Sequence, residues 1–449
     1  MKVPKELYLL AKRFQTKCYQ CFLVGGAVRD MIMGRKLSDF DITTNALPED
    51  VMNIFHKTIP TGIKHGTVTV LFRNLSFEIT TFRIDGKYSD MRRPDEVTFT
   101  PSIYEDLERR DFTINAIAFD LIQKRMLDPH KGKEDLKKKV IKAIGNSEKR
   151  FEEDALRLIR ACRFATQLNF TIEKQTFLVI KHLAANINNI SAERIRDELI
   201  KIICSSNPAY GFELLRETDL LQVILPELNK CYGIKQGSLH SFDVYYHSLY
   251  SCEAAPSDNL PLRLAALFHD IGKAKTFSED KEGKIHFYRH EHISSDLIQN
   301  ILKRLKFSND ILNKVMHLIL NHMFNYQETW SDAAVRRFIA RVGLDYIDDL
   351  VVLRRADQIG MNRKVFRSRH LSNFKKRIKN ILKQDSALNL QDLKINGNDI
   401  MEYLKLPAGQ TIGTILNYLF EAVLEDPELN NKDKLLSLAK NFYNDRLQV

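Results

Sequence analysis

The chain predicts an α+β architecture, a mixed sheet with helices at the head and an all-α remainder. Three observations carry this. Short runs rich in β-branched and aromatic residues (CFLVGG, SDFDIT, TVTVLF, LSFEITTFR, IAFDLI) fill the first 120 or so positions and read as strands. From about Ser147 onward, FEEDALRLIRACRFATQL, ERIRDELIKIIC and GFELLRETDLL repeat apolar residues at three and four, the helical period. At 449 residues and 44% hydrophobic, the chain is too long for one core. The expected parts are a head over 1–145, a helical neck over 146–231, a histidine-rich helical region over 232–360 and a basic helical tail over 361–449.

Composition excludes several classes. The six cysteines are scattered, and Cys18-x-x-Cys21 has no second pair to complete a zinc site, so buried reduced thiols are expected. The start, MKVPKELYLLAKRFQ, lacks a signal-peptide core, and no apolar run approaches the roughly 18 residues of a membrane span. A soluble cytoplasmic protein is expected, with no membrane partner. The net charge of +11 favours a polyanionic partner.

Within the head, FLVGGAVRDMIMGRKLSDFD places Gly25-Gly26 at a strand end, with AVRDMIMG as the following helix. Backbone there can approach a phosphate closely, and a helix N-terminus supplies free N–H donors. Asp39 and Asp41 lie two apart on a predicted strand, so both carboxylates leave one face about 7 Å apart at Cα. Oxygen-only ligands at that spacing suit one or two Mg²⁺ ions. Glu78 in LSFEITTF alternates to share a face with Thr80, joining the metal site or polarising an attacking hydroxyl. Arg73-Asn74 is a plausible turn before that strand. These parts make a triphosphate cradle beside a metal pair.

Two further stretches carry chemistry. In ERRDFTINAIAFD, a helix would put Asp111 and Asn115 on one face, there to hold a ribose or phosphate while Arg109 or Arg110 neutralises triphosphate charge. A plain helix N-cap at Asp111 reads equally well. In FEEDALRLIRACRF, Asp154 and Arg157 stand three apart, which an ordinary surface ion pair also explains.

Taken together, GGAVRDMIMGRKLSDFDI, R-R-D-x-x-x-N-A and E-D-x-x-R resemble the class II tRNA nucleotidyltransferases and bacterial poly(A) polymerases, within the polymerase-β-like nucleotidyltransferases. That resemblance implies Mg²⁺-assisted transfer of a nucleoside monophosphate from ATP or CTP to the 3′-hydroxyl of tRNA. It implies catalytic roles for Asp39, Asp41 and Glu78, and nucleotide contacts from Gly25, Gly26, Arg29, Arg110, Asp111, Asn115, Asp154, Arg157, Arg160 and Arg163. A carboxylate only accepts and a guanidinium only donates. Cytosine and adenine each offer an amino donor beside a ring-nitrogen acceptor, whereas guanine and uracil present a carbonyl there. An Asp154/Arg157 pair would therefore admit C and A without a template. Arg83, Asp85 and Arg92 in RIDGKYSDMRRPDEVTF resemble the flexible loop of members that add the final adenosine. The alternatives are an A-adding specialist, a poly(A) polymerase, or a hydrolase whose head merely binds RNA.

The 232–360 region holds eight of the thirteen histidines. Its order of His247, His269-Asp270, His290, His322 and Asp357 resembles the HD phosphohydrolase superfamily. That likeness implies His247, His269, Asp270 and Asp357 as basal ligands of a divalent transition metal or Mg²⁺, and His290 and His322 as candidates for a second metal. Satisfied core histidines are the plain alternative. From Ile359 to Gln384 the chain has nine Lys or Arg and no Asp or Glu, which favours phosphate contact. Phe366 and Phe374 within it read as core. Oligomeric state has no signal in the sequence.

Overall fold

In the computed structural model the described residues are 4–35, 37, 40–86, 97–237, 240–364, 369–383 and 387–446, with the side chain of Asp85 left aside. The chain forms two compact units: 1–233 with 257–260 and 299–308, and 234–256 with 261–298 and 309–449.

Among the described residues up to 127, the alternating runs become nine short strands: β1 (Cys21–Val24), β2 (Asp41–Thr44), β3 (Thr58–Gly62), β4 (Thr67–Phe72), β5 (Leu75–Thr81), β6 (Arg83–Asp85), β7 (Val97–Phe99), β8 (Ala118–Asp120) and β9 (Met126–Leu127). Seven make one mixed sheet in the order β3-β4-β5-β2-β1-β8-β9, while β6 and β7 pair separately. All of β1 is buried, as a central strand covered on both faces must be. Arg73 and Asn74 take φ of 50° and 64°, the left-handed pair that closes a two-residue hairpin with the sheet's own twist. Because β2 and β5 run parallel with β1 antiparallel beside them, the β2 start, the β5 centre and the glycines after β1 meet at one edge.

The helical neck departs from the single helix that its periodicity predicts. One helix ends at Glu153 and another starts at Leu156, with Asp154 extended between them (φ −141°, ψ 102°). Asp154 Oδ1 accepts from the Leu156 N–H at 3.1 Å, which gives one orphan donor of the new helix a partner.

Among its described residues the second unit is helical apart from one short hairpin. Its Val244–Ala254 and Leu344–Asn362 helices approach at backbone distance, where Gly360 lies so close that a Cβ would stand 2.1 Å from Ser251 Oγ and 2.9 Å from His247 O. Near the chain end, Ile400, Ile415, Leu419 and Leu435 centre a further apolar cluster. Among the described residues no helix is long and apolar enough to cross a membrane.

Candidate active site and metal centre

The parallel register of β2 and β5 sets Asp41 beside Glu78. Gly25 closes the same edge at φ +64°, and a Cβ there would lie 3.1 Å from Asp41 Oδ2 and 3.2 Å from Arg110 Nη1. Only glycine combines that backbone angle with that approach. Asp39 falls outside the described residues. Around Asp41 opens a cleft of about 750 Å³, lined by Gly25, Gly26, Glu78, Arg29, Arg83, Arg109, Arg110, Asp111, Asn115, Asp154, Arg157, Arg160 and Arg194, among others. Seven arginines face four carboxylates there, so the wall suits a polyphosphate while the acidic edge suits a cation.

Asp111 and Asn115 meet, but not on the predicted α-helix. The helix ends at Glu108, and Thr113–Asn115 form one 3₁₀ turn. Asn115 Nδ2 donates to Asp111 Oδ1 at 3.0 Å, and Arg29 Nη1 donates to Asn115 Oδ1 at 2.9 Å. Arg160 donates through Nε (2.9 Å) and Nη2 (2.6 Å) to Asp111 Oδ2. Burial alone would raise the Asp111 pKa, but the Arg160 charge and these bonds hold it well below the usual carboxylate range. Asp106, which sequence reasoning missed, is fully buried and pairs with Arg109 (2.8 Å) and Arg110 (3.2 Å). It aims both guanidinium groups, and its position one turn before Arg-Arg was the available signal.

The break after Glu153 redistributes the neck's ion pairs. Arg157 donates through Nη1 to Arg150 O (2.8 Å) and Glu153 Oε2 (2.9 Å), and through Nη2 to Arg109 O (3.1 Å). Asp154 instead accepts from Arg194 at 2.9 Å. The predicted Asp154–Arg157 surface pair is therefore replaced, because the two residues no longer share a helix turn. Arg163 also departs from expectation: it is buried against Glu198, bonded to Gln167 at 2.9 Å, and absent from the cleft lining. Glu198, on the Ala192–Ile203 helix, draws it to the packed side instead. Phe164 does reach the cleft, with the Arg29, Arg160 and Arg163 guanidinium carbons 5.4, 5.3 and 3.7 Å from its ring centre.

Arg83 lines the cleft, whereas Arg92 and the Asp85 side chain lie outside what is described. Cys21 is buried, with its thiol pKa pushed up by burial; Cys18 is exposed, against expectation, at the turn that ends the first helix.

In the second unit all six predicted ligands converge, every one buried. His247 Nε2 lies 3.1 Å from His269 Nε2 and 3.2 Å from both Asp270 Oδ2 and Asp357 Oδ1. Asp270 Oδ1 faces the other way, 3.1 Å from His290 Nε2 and 3.8 Å from His322 Nε2. His269, His290 and His322 each set Nδ1 against a backbone carbonyl, of Ala266 (2.9 Å), Phe287 (3.0 Å) and Ile319 (2.7 Å). A carbonyl only accepts, so in the neutral ring Nδ1 carries the proton and the Nε2 lone pair points inward. Burial works against charge on His269, but Asp270 and Asp357 overcome it and push its pKa up to about 10. Burial and the His269 charge pull His322 down to about 3. Once the His269 Nε2 proton is displaced, the inward lone pairs and the two buried carboxylates suit a divalent cation.

The basic run acquires partners that its local sequence lacks. Arg363 pairs with Glu253 (2.9 Å), Lys375 with Asp348 (2.7 Å) and Arg377 with Asp332 (2.7 Å). Phe374 is core, as expected, while Phe366 lies outside the described residues. Lys376, Lys379 and Lys383 are exposed.

The sequence matches the family models of the poly A polymerase head domain over 21–142, the RNA- and SrmB-binding site of polymerase A over 169–232, and tRNA nucleotidyltransferase domain 2 over 277–439. A CCA-adding enzyme from Lactobacillus helveticus (strain DPC 4571) is 49% identical over 202 residues, 45% of this chain and about half of that protein. Another, from Ligilactobacillus salivarius (strain UCC118), is 30% identical over 443 residues, 99% of this chain and 98% of the relative. The crystal structure of the Bacillus stearothermophilus CCA-adding enzyme in complex with CTP superposes with a TM-score of 0.74 at 28% identity, covering 100% of both chains. With a relative at 30% identity matched over nearly the full length of both chains, and the fold in common, the chain belongs to the CCA-adding enzymes, a family of nucleotidyltransferases.

Proposed function

We infer that this chain rebuilds the 3′ end of tRNA in the cytoplasm, adding CMP and AMP from CTP and ATP without a template and releasing pyrophosphate. The observation that carries the reading is the Asp41–Glu78 register set against the arginine wall. Nucleotidyltransferases of this family use divalent metals. Asp41, together with Asp39, would hold Mg²⁺, which when bound neutralises triphosphate charge and favours the ionised 3′-hydroxyl. Glu78 stands beside Asp41 to complete the acidic edge. Gly25 and Gly26 let the chain approach the phosphates, and Arg29, Arg109, Arg110 and Arg160 compensate their charge. Asp111 and Asn115 hold the sugar, and Asp154 reads the base edge with Arg157, which lines the same cleft and keeps N–H donors beyond those given to Glu153 and the Arg150 and Arg109 carbonyls. Arg83, Asp85 and Arg92 serve the final adenosine. Head, neck, His/Asp body and RNA-binding tail divide at 145, 231 and 360.

The experiment supplies tRNA lacking its 3′ end with CTP, ATP or both, and sizes the products. A three-nucleotide extension that needs both supports the reading. Long tails from ATP alone would replace it with poly(A) synthesis, and one A added only to CC-ended tRNA would replace it with an A-adding specialist.

A second reading rests on the convergent His/Asp cluster. His247, His269, Asp270 and Asp357 would bind one divalent metal, with His290 and His322 taking a second beside Asp270, to hydrolyse phosphoesters. Zero metal in purified wild-type protein and in His269→Ala alike would end that reading.

A further inference from the structure

Arg194 stands 40 residues beyond Asp154, yet its Nη2 donates to Asp154 Oδ2 at 2.9 Å and both line the cleft. The other nearby guanidinium, Arg157, is engaged elsewhere: both Nη groups serve Glu153 and the carbonyls of Arg150 and Arg109. Asp154 is thus held at each oxygen, Oδ1 by the Leu156 N–H and Oδ2 by Arg194. A carboxylate has about four lone-pair positions, so acceptor capacity remains at both. What the two bonds remove is rotation. Asp154 sits in extended backbone between two helices, so these two bonds, rather than its own place in a helix turn, set its side chain. Arg194 comes from the first turn of the Ala192–Ile203 helix, which packs on the Leu156–Leu168 helix and is anchored there by Glu198 against Arg163.

We propose that Arg194 is the specificity-determining positioning residue of the site: by holding Asp154 Oδ2 it aims the remaining lone pairs at the exocyclic amino group of cytosine or adenine. The carbonyl of uracil or guanine at that place then meets a fixed acceptor and is refused. A carboxylate free to turn would still accept from an amino group but could swing away from a carbonyl, so selectivity falls further than affinity. The proposal rests on the reading of Asp154 as the base reader.

The test measures kcat/KM for CTP against UTP, and ATP against GTP, on tRNA lacking its 3′ end, for wild type, Arg194→Met, Arg194→Lys, Asp154→Asn and the Arg194→Met/Asp154→Asn double variant. Arg194→Met is expected to lower both ratios by about ten- to a hundredfold, the scale of a misplaced reacting group. KM for CTP should rise more than kcat falls, and Arg194→Lys should recover part of the ratio. Because Arg194 acts through Asp154, the double variant should be no less selective than Asp154→Asn alone. A merely structural role would lower kcat for every nucleotide alike and leave the ratios in place. Collapse of the ratios in Asp154→Asn with full selectivity in Arg194→Met would overturn the proposal, as would losses that multiply in the double variant. Full selectivity in Asp154→Asn would remove the base-reading assignment itself, and the proposal with it.

Discussion

Asp111 and Arg160 are joined by two bonds to a single carboxylate oxygen, while the other oxygen holds Asn115. The pair is both a strut between head and neck helix and part of the cleft wall. Asp111→Asn should therefore lower unfolding free energy by about 2 kcal/mol, below the full cost of breaking a buried pair because Arg160 is 31% exposed. The pH dependence follows from the sign. The folded pKa is depressed, so the stabilisation is complete above the unfolded carboxyl value of about 4 and fades as pH falls through the folded value. Urea unfolding of both proteins should show a constant gap from pH 6 to 8 that narrows below about pH 4.

Gly25→Ala should be costly to catalysis and only moderately so to stability. The left-handed backbone costs an alanine about 1–2 kcal/mol. The added methyl displaces Asp41 Oδ2 or Arg110 Nη1, so nucleotide addition should fall on the order of a hundredfold. Steady-state kinetics beside a thermal melt separates the two effects.

The opposed oxygens of Asp270 predict unequal metal losses. Asp270→Ala should lose all bound metal, since both halves of the cluster share it. His322→Ala should retain an ion at His247, His269 and Asp357, whose donor atoms lie close enough together to bind one without it. Metal analysis by plasma mass spectrometry after dialysis gives the stoichiometry directly.

Among the exposed lysines of the tail, replacing Lys376, Lys379 and Lys383 by Ser should reduce the slope of log tRNA affinity against log salt by about 0.7–0.9 for every phosphate that no longer meets a lysine. Arg377→Ala, which breaks the pair with Asp332, should act on stability instead, by about 0.5 kcal/mol. A salt slope unchanged in the triple variant would remove these lysines from the RNA path.

Local patterning reached far into the head because its signals are local. Strand alternation, the paired left-handed residues at Arg73-Asn74, and the glycines after β1 each follow from a few neighbouring side chains. Sequence spacing failed where the chain breaks its own period. Asp154 interrupts a run of apolar residues that reads as one helix, and the interruption exchanges Arg157 for Arg194 as its partner. Arg163 has the charge and spacing of a cleft residue, but Glu198, on a different helix, takes it inward. The basic run reads as one sign until Glu253, Asp332 and Asp348 arrive from elsewhere. The His/Asp cluster was legible despite its long range, since its residue types are unusual on otherwise apolar helices.

The near-contact of the helices at Gly360 and Ser251 has a consequence for how the His/Asp cluster can evolve. His247 and Asp357 ride on backbones that already touch, so trimming neighbouring side chains would not bring these two residues closer together. A cage for a smaller ion would therefore need longer donor side chains, or movement of His269, Asp270, His290 and His322, which lie outside these two helices.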